Sequence, residues 1–191
     1  MYLTFHSHIY ASHWWIIQVC AYDYSHGFVE NMLAKAKTAG LTNLEGRQGD
    51  SHAQAEMYPG RRFDLIFGCN LIDRLHTPLL WVQQSKVTIY LLYSQCSSQS
   101  INHDVQEMLS DSGLLVISSP YTWKPEHTAP DLWLGGRVKE GRPLFTQDGL
   151  ESLLGPDLVL LEAKKVPFVI PDSDGTFQYT YSNCTIFGRR K

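Results

Sequence analysis

The chain has 191 residues, which suits one domain with a full hydrophobic core. Its composition, 43% hydrophobic and 12% aromatic, excludes a disordered or fibrous protein. A formal net charge of -3 at pH 7 gives no general attraction to nucleic acid or to an acidic membrane surface, so we expect a small-molecule partner instead.

The cysteines and the apolar runs bear on where the protein works. The four cysteines are widely scattered, without the paired spacing of a zinc site or a disulfide framework, which favours reduced thiols in the cytoplasm. No apolar run approaches the length that spans a bilayer, and the chain start has no basic region ahead of an apolar one. We therefore predict a cytoplasmic protein with neither secretion nor membrane insertion.

Residues 1–18 form an atypical leader. His6, His8 and His13 crowd this segment, and three histidines could bind a metal. No carboxylate or cysteine lies nearby, which favours an ill-ordered or loosely packed leader and no metal site.

Residues 19–25 are an apolar run that ends in an acid and turns at once into a helical pattern, so we predict a buried parallel strand with Asp23 at its carboxyl end. Ser25 can cap the following helix and Gly40 can end it. In open α/β sheets ligands lie beyond the carboxyl ends of the strands, and an acid there commonly binds a ribose diol. The alternative for Asp23 is a solvated loop acid. The helix itself is predicted from apolar residues that share one face: Phe28, Val29, Met32, Leu33 and Ala36.

After that helix, a second short strand is predicted to end at Gly49 and Asp50. Two adjacent parallel strands would then each end in an acid. A carboxylate at the second end can accept from an exocyclic amine such as that of adenine. Alternatively, Asp50 caps a helix over residues 51–57, and the two roles can coexist.

Residues 63–69 predict the next buried strand, and a helix is predicted from Pro78 with Leu79 and Val82 facing inward. Between them lie the polar groups nearest the predicted cleft, each more typical of a structural hydrogen bond than of catalysis: Asn70, Asp73, Arg74 and His76.

Residues 87–106 interrupt the alternation of strands and helices and are predicted to be an insertion. Without them, the helix that starts at Pro78 would continue through residues 107–113 and lead into a strand over residues 114–119. The β-prone first half of the insertion would pair at a sheet edge or aggregate.

The last third is predicted to hold a pocket wall and a hairpin. Residues 120–128 are aromatic and polar, as the wall of a small-molecule pocket tends to be. Thr146 is predicted to cap a helix over residues 147–154. Two strands over residues 158–170 and 177–187 predict a terminal antiparallel hairpin.

This order of strands, acids and terminal hairpin resembles the class I S-adenosylmethionine-dependent methyltransferases over residues 19–190. Four strings look more narrowly like the C-terminal methyltransferase domain of the ovothiol-biosynthesis enzyme, 5-histidylcysteine sulfoxide synthase: residues 70–78, 119–123, 133–136 and 166–170.

The resemblance implies an α/β fold with a Rossmann-like, mostly parallel sheet over residues 19–191, here without the usual first strand and glycine-rich loop. It implies S-adenosylmethionine as the cofactor and N-methylation of the imidazole of a mercaptohistidine. It further implies a sulfoxide-synthase domain upstream in the full-length family protein. Without the glycine-rich loop we expect weak cofactor binding or an inactive chain, because a side chain would fill the space that glycine leaves empty.

By this resemblance, Asp23 holds the cofactor ribose with Tyr24 beside it, Asp50 accepts from the adenine amine with Ser51 beside it, and Asn70 stands near the methionine part. No catalytic residue is assigned, because the acceptor nitrogen is already a nucleophile near neutral pH.

The candidates on the substrate side are Tyr121, Trp123 and His127, with core or lid packing as their alternative. Two other classes of function stay open. A nicotinamide-dependent oxidoreductase would share the acid at the first strand end, but the second acid and the hairpin favour the methyltransferase. A non-catalytic remnant that serves as an interaction module fits the missing loop.

Overall fold

The computed structural model describes residues 18–86, 108–171 and 175–190. The strands are β1 (Val19–Asp23), β2 (Leu44–Gln48), β3 (Phe63–Cys69), β4 (Leu109–Ser119), β5 (Arg137–Lys139), β6 (Arg142–Leu144), β7 (Leu158–Pro171) and β8 (Phe177–Arg189). The α-helices are α1 (His26–Thr38), α2 (Gln54–Met57), α3 (Pro78–Lys86) and α4 (Thr146–Leu154), and short 3-10 helices cover Ser51–Ala53, Ile72–Arg74 and Pro130–Leu132.

The strands form an α/β fold with a terminal hairpin, as predicted, and within the described ranges they pair in three sheets: β1 with β2, β3 with β4, β8 and β7, and β5 with β6. β1 runs parallel to β2, and β3 runs parallel to β4. β8 then pairs antiparallel with both β4 and β7. Within the described ranges, the parallel pairs β1–β2 and β3–β4 therefore belong to different sheets, and no strand pairing joins them. The carboxyl ends of these parallel strands are the edges where ligands bind in such folds.

The predicted strand, helix and stop around α1 are confirmed. Val29, Met32 and Ala36 are buried on the face that the periodicity indicates, and Phe28 is half-buried, whereas Leu33 is 38% exposed. Met32 packs so closely on β2 that a Cβ on Gly46 would lie 2.5 Å from its terminal carbon. Gly40 follows the helix with φ of +69°, a conformation that glycine adopts at little cost.

The larger core lies between the four-stranded sheet and the helices α3 and α4. Trp81 and Val82 are almost fully buried there, whereas Leu79 is 37% exposed, so the inward prediction for Leu79 is wrong. The side chain of α3 that faces the core in place of Leu79 is Trp81. Its ring fits against β3 because Gly68 has no Cβ. A Cβ at that position would lie 2.4 Å from the Trp81 ring.

Two further predictions need correction. The helix predicted to continue to residue 113 is instead the first half of β4, because the Phe63 backbone N–H on β3 donates to Met108 O at 2.7 Å and Leu109 pairs with Phe63. The helix α4 begins at Thr146 with Phe145 as its N-cap. The Thr146 hydroxyl does not cap this helix and instead accepts from Trp123 Nε1 at 2.8 Å.

The predicted insertion, residues 87–106, and the three leader histidines lie outside the described residues.

A buried hydrogen-bond network joins β1 to α2 and α3. The Tyr22 hydroxyl donates to Gln54 Oε1 at 3.2 Å and accepts from Trp81 Nε1 at 3.0 Å. Gln54 Nε2 in turn donates to Ser85 Oγ at 3.1 Å. Burial raises the pKa of the Tyr22 hydroxyl from its ordinary value of 10.0 to about 12.

We therefore expect stability to fall as the pH rises from about 10 to about 12. Unfolded Tyr22 loses its proton near pH 10, whereas the folded protein holds it to about pH 12, so the unfolded state binds fewer protons in this window. Each pH unit then favours unfolding by about 1.4 kcal/mol per such tyrosine. Thermal melts at stepped pH, followed with absorbance at 295 nm, measure this decline.

Tyr22→Phe is the control for this decline. It should be less stable at pH 8, because Trp81 Nε1 and Gln54 lose a partner. Its melting temperature should nevertheless fall less steeply between pH 10 and 12. Equal slopes for both proteins would show that Tyr22 ionises as readily in the folded chain as in the unfolded one.

Candidate functional site

The two predicted cofactor acids lie at neighbouring strand ends. Asp23 is the last residue of β1 and pairs in parallel register with Gln48, the last residue of β2. Gly49 N donates to Asp23 O at 3.1 Å, and Asp50 follows directly. The prediction that both acids lie at the carboxyl ends of adjacent parallel strands is therefore confirmed, and that they face one cleft stays a prediction.

Asp23 is a buried carboxylate, only 5% exposed. Its Oδ1 accepts from the Ser25 backbone N–H at 2.8 Å, so the acid itself orders the turn from β1 into α1. Ser25 is the N-cap residue of that helix, although its side chain makes no capping hydrogen bond. Tyr24 points outward and is 78% exposed, and its carbonyl accepts from Gln48 Nε2 at 3.2 Å.

Asp50 caps the 3-10 helix Ser51–Ala53, as the alternative reading of Gly49-Asp50 predicts. Its Oδ1 accepts from the His52 backbone N–H at 2.9 Å and lies 2.9 Å from His52 Nδ1. The backbone N–H of His52 is the main cause that lowers the pKa of the Asp50 carboxyl below its usual range. Asp50 is therefore ionised at neutral pH while its side chain stays 54% exposed.

Two strained residues follow the next pair of parallel strands. Asn70, after β3, has φ of +49°, and Tyr121, just beyond β4, has φ of +54°. Asn70 N donates to Ser118 O at 2.6 Å, and its Oδ1 accepts from Ser182 Oγ on β8 at 3.2 Å. Non-glycine residues in the left-handed region are uncommon and cluster at functional sites.

Asp73 holds the Tyr121 turn in place. This carboxylate is fully buried and accepts from Ser119 Oγ at 2.7 Å, from Thr122 N at 2.8 Å and from Thr122 Oγ1 at 3.0 Å. Tyr121 lies between those two anchored residues, and its own N–H donates to Ser119 Oγ at 3.2 Å. The 3-10 helix Ile72–Arg74 thus fixes the chain where it leaves β4.

The three substrate-side candidates occupy different settings. Burial raises the pKa of Tyr121 to about 12, so its phenol is neutral at physiological pH. Trp123 stacks on Trp133 with ring centroids 6.3 Å apart and donates to Thr146 on α4, which directs its indole N–H to that helix. His127 lies on a half-exposed turn with Nε2 4.0 Å from Glu126 Oε1. A substrate role for these residues stays a prediction.

The sequence predicts a structural hydrogen bond for Asp73, and this is confirmed, although its partners lie more than 40 positions away in the chain and carry no local signal. The residue of the candidate site that the sequence analysis lacks is His52, which contacts Asp50. The spacing of Asp50 and His52 does carry a local signal, since an aspartate commonly bonds the backbone two residues on.

Within the described ranges, no helix is both long and apolar enough to cross a membrane, and no three His, Cys, Asp or Glu side chains cluster as metal ligands would.

No protein-family model matches the chain, and no curated protein matches its sequence. Solved structures do match its fold. TehB from Haemophilus influenzae superposes with a TM-score of 0.54 at 11% identity, over 91% of this chain and 50% of TehB. A protein described by the conversion of a disulfide bond into a thioacetal group during echinomycin biosynthesis gives 0.55 at 13% identity, over 90% of this chain and 66% of that one.

The carbon methyltransferase CurJ gives a TM-score of 0.54 at 12% identity, over 91% of this chain and 42% of CurJ. The chain thus spans about half the length of TehB and less than half that of CurJ. At such identities the likeness shows the fold alone, a mixed α/β arrangement that resembles Rossmann-like methyltransferase folds.

Proposed function

We propose that this chain is a small-molecule methyltransferase of the cytoplasm that uses S-adenosylmethionine to methylate the imidazole of a mercaptohistidine. The observation that carries the proposal is the pair Asp23 and Asp50, at the carboxyl ends of adjacent parallel strands in a methyltransferase fold. Ligands of open α/β sheets bind at this edge.

The described residues fit the nucleoside half of the cofactor. Asp23 offers a buried carboxylate whose orientation is fixed by the Ser25 N–H. A charged acceptor of this kind strengthens the hydrogen bonds that a ribose diol donates. Asp50 offers an ionised, half-exposed carboxylate for the adenine amine, with Ser51 beside it. We assign Asn70, held by Ser182 at the end of β3, to the methionine half.

The acceptor side needs positioning more than acid–base chemistry. The bound cofactor supplies a methyl group on a sulfonium, and an in-line displacement by a neutral imidazole nitrogen calls for alignment and exclusion of water. Tyr121 suits this task, because its phenol stays neutral up to about pH 12 and its backbone is fixed through Ser119 and Thr122. Trp123 and His127 are the other residues that we assign to the acceptor side.

The mercaptohistidine acceptor rests on the resemblance of residues 70–78, 119–123, 133–136 and 166–170 to the ovothiol-biosynthesis domain. A sulfoxide-synthase domain would form a histidine–cysteine sulfoxide, and cleavage of its bond to the cysteine carbon followed by reduction of the sulfur would give the mercaptohistidine that this site consumes. Mass spectrometry after incubation with S-adenosylmethionine and mercaptohistidine, with histidine in parallel, tests that choice of acceptor.

Calorimetric titration tests the cofactor. We expect this chain to bind S-adenosylmethionine only weakly, because residues 1–18 contain no glycine for a cofactor loop, and not to bind NAD. In a protein with a family-type first strand and glycine-rich loop grafted ahead of Val19, we expect Asp23→Ala to weaken cofactor binding by about 1.5 to 3 kcal/mol, the scale of charge-assisted hydrogen bonds. The matched control is Asp131→Ala, which removes an exposed acid on the 3-10 helix Pro130–Leu132 and should leave the affinity unchanged.

Other outcomes would favour the alternatives. Binding of NAD without S-adenosylmethionine would indicate a nicotinamide-dependent oxidoreductase that uses the same strand-end acid. If neither S-adenosylmethionine nor NAD bound, the result would support a non-catalytic interaction module. Unchanged S-adenosylmethionine affinity in Asp23→Ala would contradict the ribose role alone.

A further inference from the structure

The side chain of Asp50 accepts a hydrogen bond from the Ser51 side chain and two from His52. The His52 backbone N–H and the His52 ring nitrogen Nδ1 each lie 2.9 Å from the same oxygen, Asp50 Oδ1. The backbone contact alone is sufficient to cap the 3-10 helix Ser51–Ala53. The ring contact is therefore an addition that capping does not require.

The ring of His52 has a defined tautomer. An ionised carboxylate only accepts hydrogen bonds, so Nδ1 must carry the proton that it shares with Asp50. Nε2, the other ring nitrogen, is buried and has no hydrogen-bond partner within the described residues. Leaving a buried acceptor unpaired costs about 1 to 3 kcal/mol of folding stability. The position of the His52 ring is therefore not explained by a gain in the stability of the fold.

The backbone of His52 is also anchored by α3. Gln84 Nε2 donates to the His52 carbonyl at 2.7 Å, and the His52 side chain is only 20% exposed. Asp50 is 54% exposed. A fixed, mostly buried imidazole therefore anchors an exposed carboxylate at the edge where β1 and β2 end.

We infer that His52 is a positioning residue for nucleoside recognition, which anchors Asp50 Oδ1 so that Oδ2 is presented to the exocyclic amine of the base. This inference rests on the proposed function, because it assumes that Asp50 meets an adenine. An acceptor that is already oriented loses less side-chain freedom when the ligand binds, and this raises the affinity for the base.

Adenosine is the probe, because it carries the base and the ribose without the methionine part. We expect His52→Leu to weaken adenosine binding by about three- to tenfold, the equivalent of one hydrogen bond. His52→Asn should restore most of the affinity, since its side-chain amide nitrogen takes the place of Nδ1. In an Asp50→Ala background, His52→Leu should have no further effect, because the residue acts through Asp50.

A nitrogen-15 NMR spectrum supplies a readout that needs no ligand, and should show neutral His52 protonated at Nδ1. Protonation at Nε2 would overturn the inference, and so would adenosine binding that is equal in wild type and His52→Leu. Equal losses in His52→Leu and His52→Asn would point to packing and overturn it as well. No adenosine binding by the wild-type chain would contradict the proposed function, and the inference with it.

Discussion

Gly149→Ala is expected to destabilise the protein strongly, although alanine is normally the better helix residue. Gly149 lies in the first half of α4, where the chain segment of Leu134 crosses the helix. A Cβ at Gly149 would lie 1.8 Å from Leu134 O and 2.9 Å from Leu134 C, which are backbone atoms that no rotamer change can move. Either the helix or the segment that follows Trp133 must shift.

The clash outweighs the gain in helix propensity. Alanine gains about 1 kcal/mol over glycine in a helix, whereas overpacking against rigid neighbours typically costs about 1 to 3 kcal/mol and more where backbone must move. We expect a net loss of about 3 kcal/mol, or a fall in melting temperature of roughly 6 to 12 °C for a chain of this size. Calorimetry or circular dichroism measures it.

Gly27→Ala is the matched control, because Gly27 also lies in an α-helix but a Cβ there would meet nothing within 4 Å. It should raise stability by about 0.5 to 1 kcal/mol through helix propensity and a less flexible unfolded chain. Similar changes in the two variants would show that the close approach of Leu134 to α4 is absent in solution.

The parts of the fold that could be predicted from sequence are those that local pattern determines. The five apolar positions of α1 repeat with helical spacing, and Gly40 ends the helix because it alone adopts φ of +69° there cheaply. The strand-end acids Asp23 and Asp50 could be placed for the same reason, since a parallel strand, a helix and a further strand return the chain to the same edge.

The failures come from contacts between distant segments. Residues 109–113 have a pattern that a helix could also use, and what decides for β4 is that Leu109 pairs with Phe63 and residues 114–118 pair with the rest of β3. Leu79 and Trp81 both suit the inner face of α3, and the absent Cβ of Gly68 selects Trp81. No periodicity within α3 contains that information.

The candidate site divides in the same way. The cofactor acids follow from strand ends, but the shape of the Tyr121 turn depends on Asp73, which binds Ser119 and Thr122 at separations of 46 and 49 residues. A lone aspartate after a strand carries no signal of such partners. The positive φ of Asn70 is likewise set by its neighbours on β4 and β8.

Asp73→Ala is expected to lower the free energy of unfolding by about 3 to 5 kcal/mol, as removal of one member of a buried charged network does. Ser119 Oγ, Thr122 N and Thr122 Oγ1 would all lose their acceptor in a region from which water is excluded. Tyr121 would lose the restraint that keeps it at φ of +54°, so its turn should relax. Chemical denaturation measures the stability, and hydrogen exchange at the Thr122 amide measures the turn.

Asp64→Ala is the matched control for this change. Asp64 also accepts from a serine hydroxyl, Ser110 Oγ at 2.7 Å, but it is exposed on β3 and water can replace the lost contact. Its removal should change stability by no more than about 0.5 kcal/mol. If Asp73→Ala were equally mild, or if the Thr122 amide stayed protected in it, the carboxylate would not be what holds Tyr121 at the end of β4. The strain at Tyr121 would then have to come from the packing of its ring.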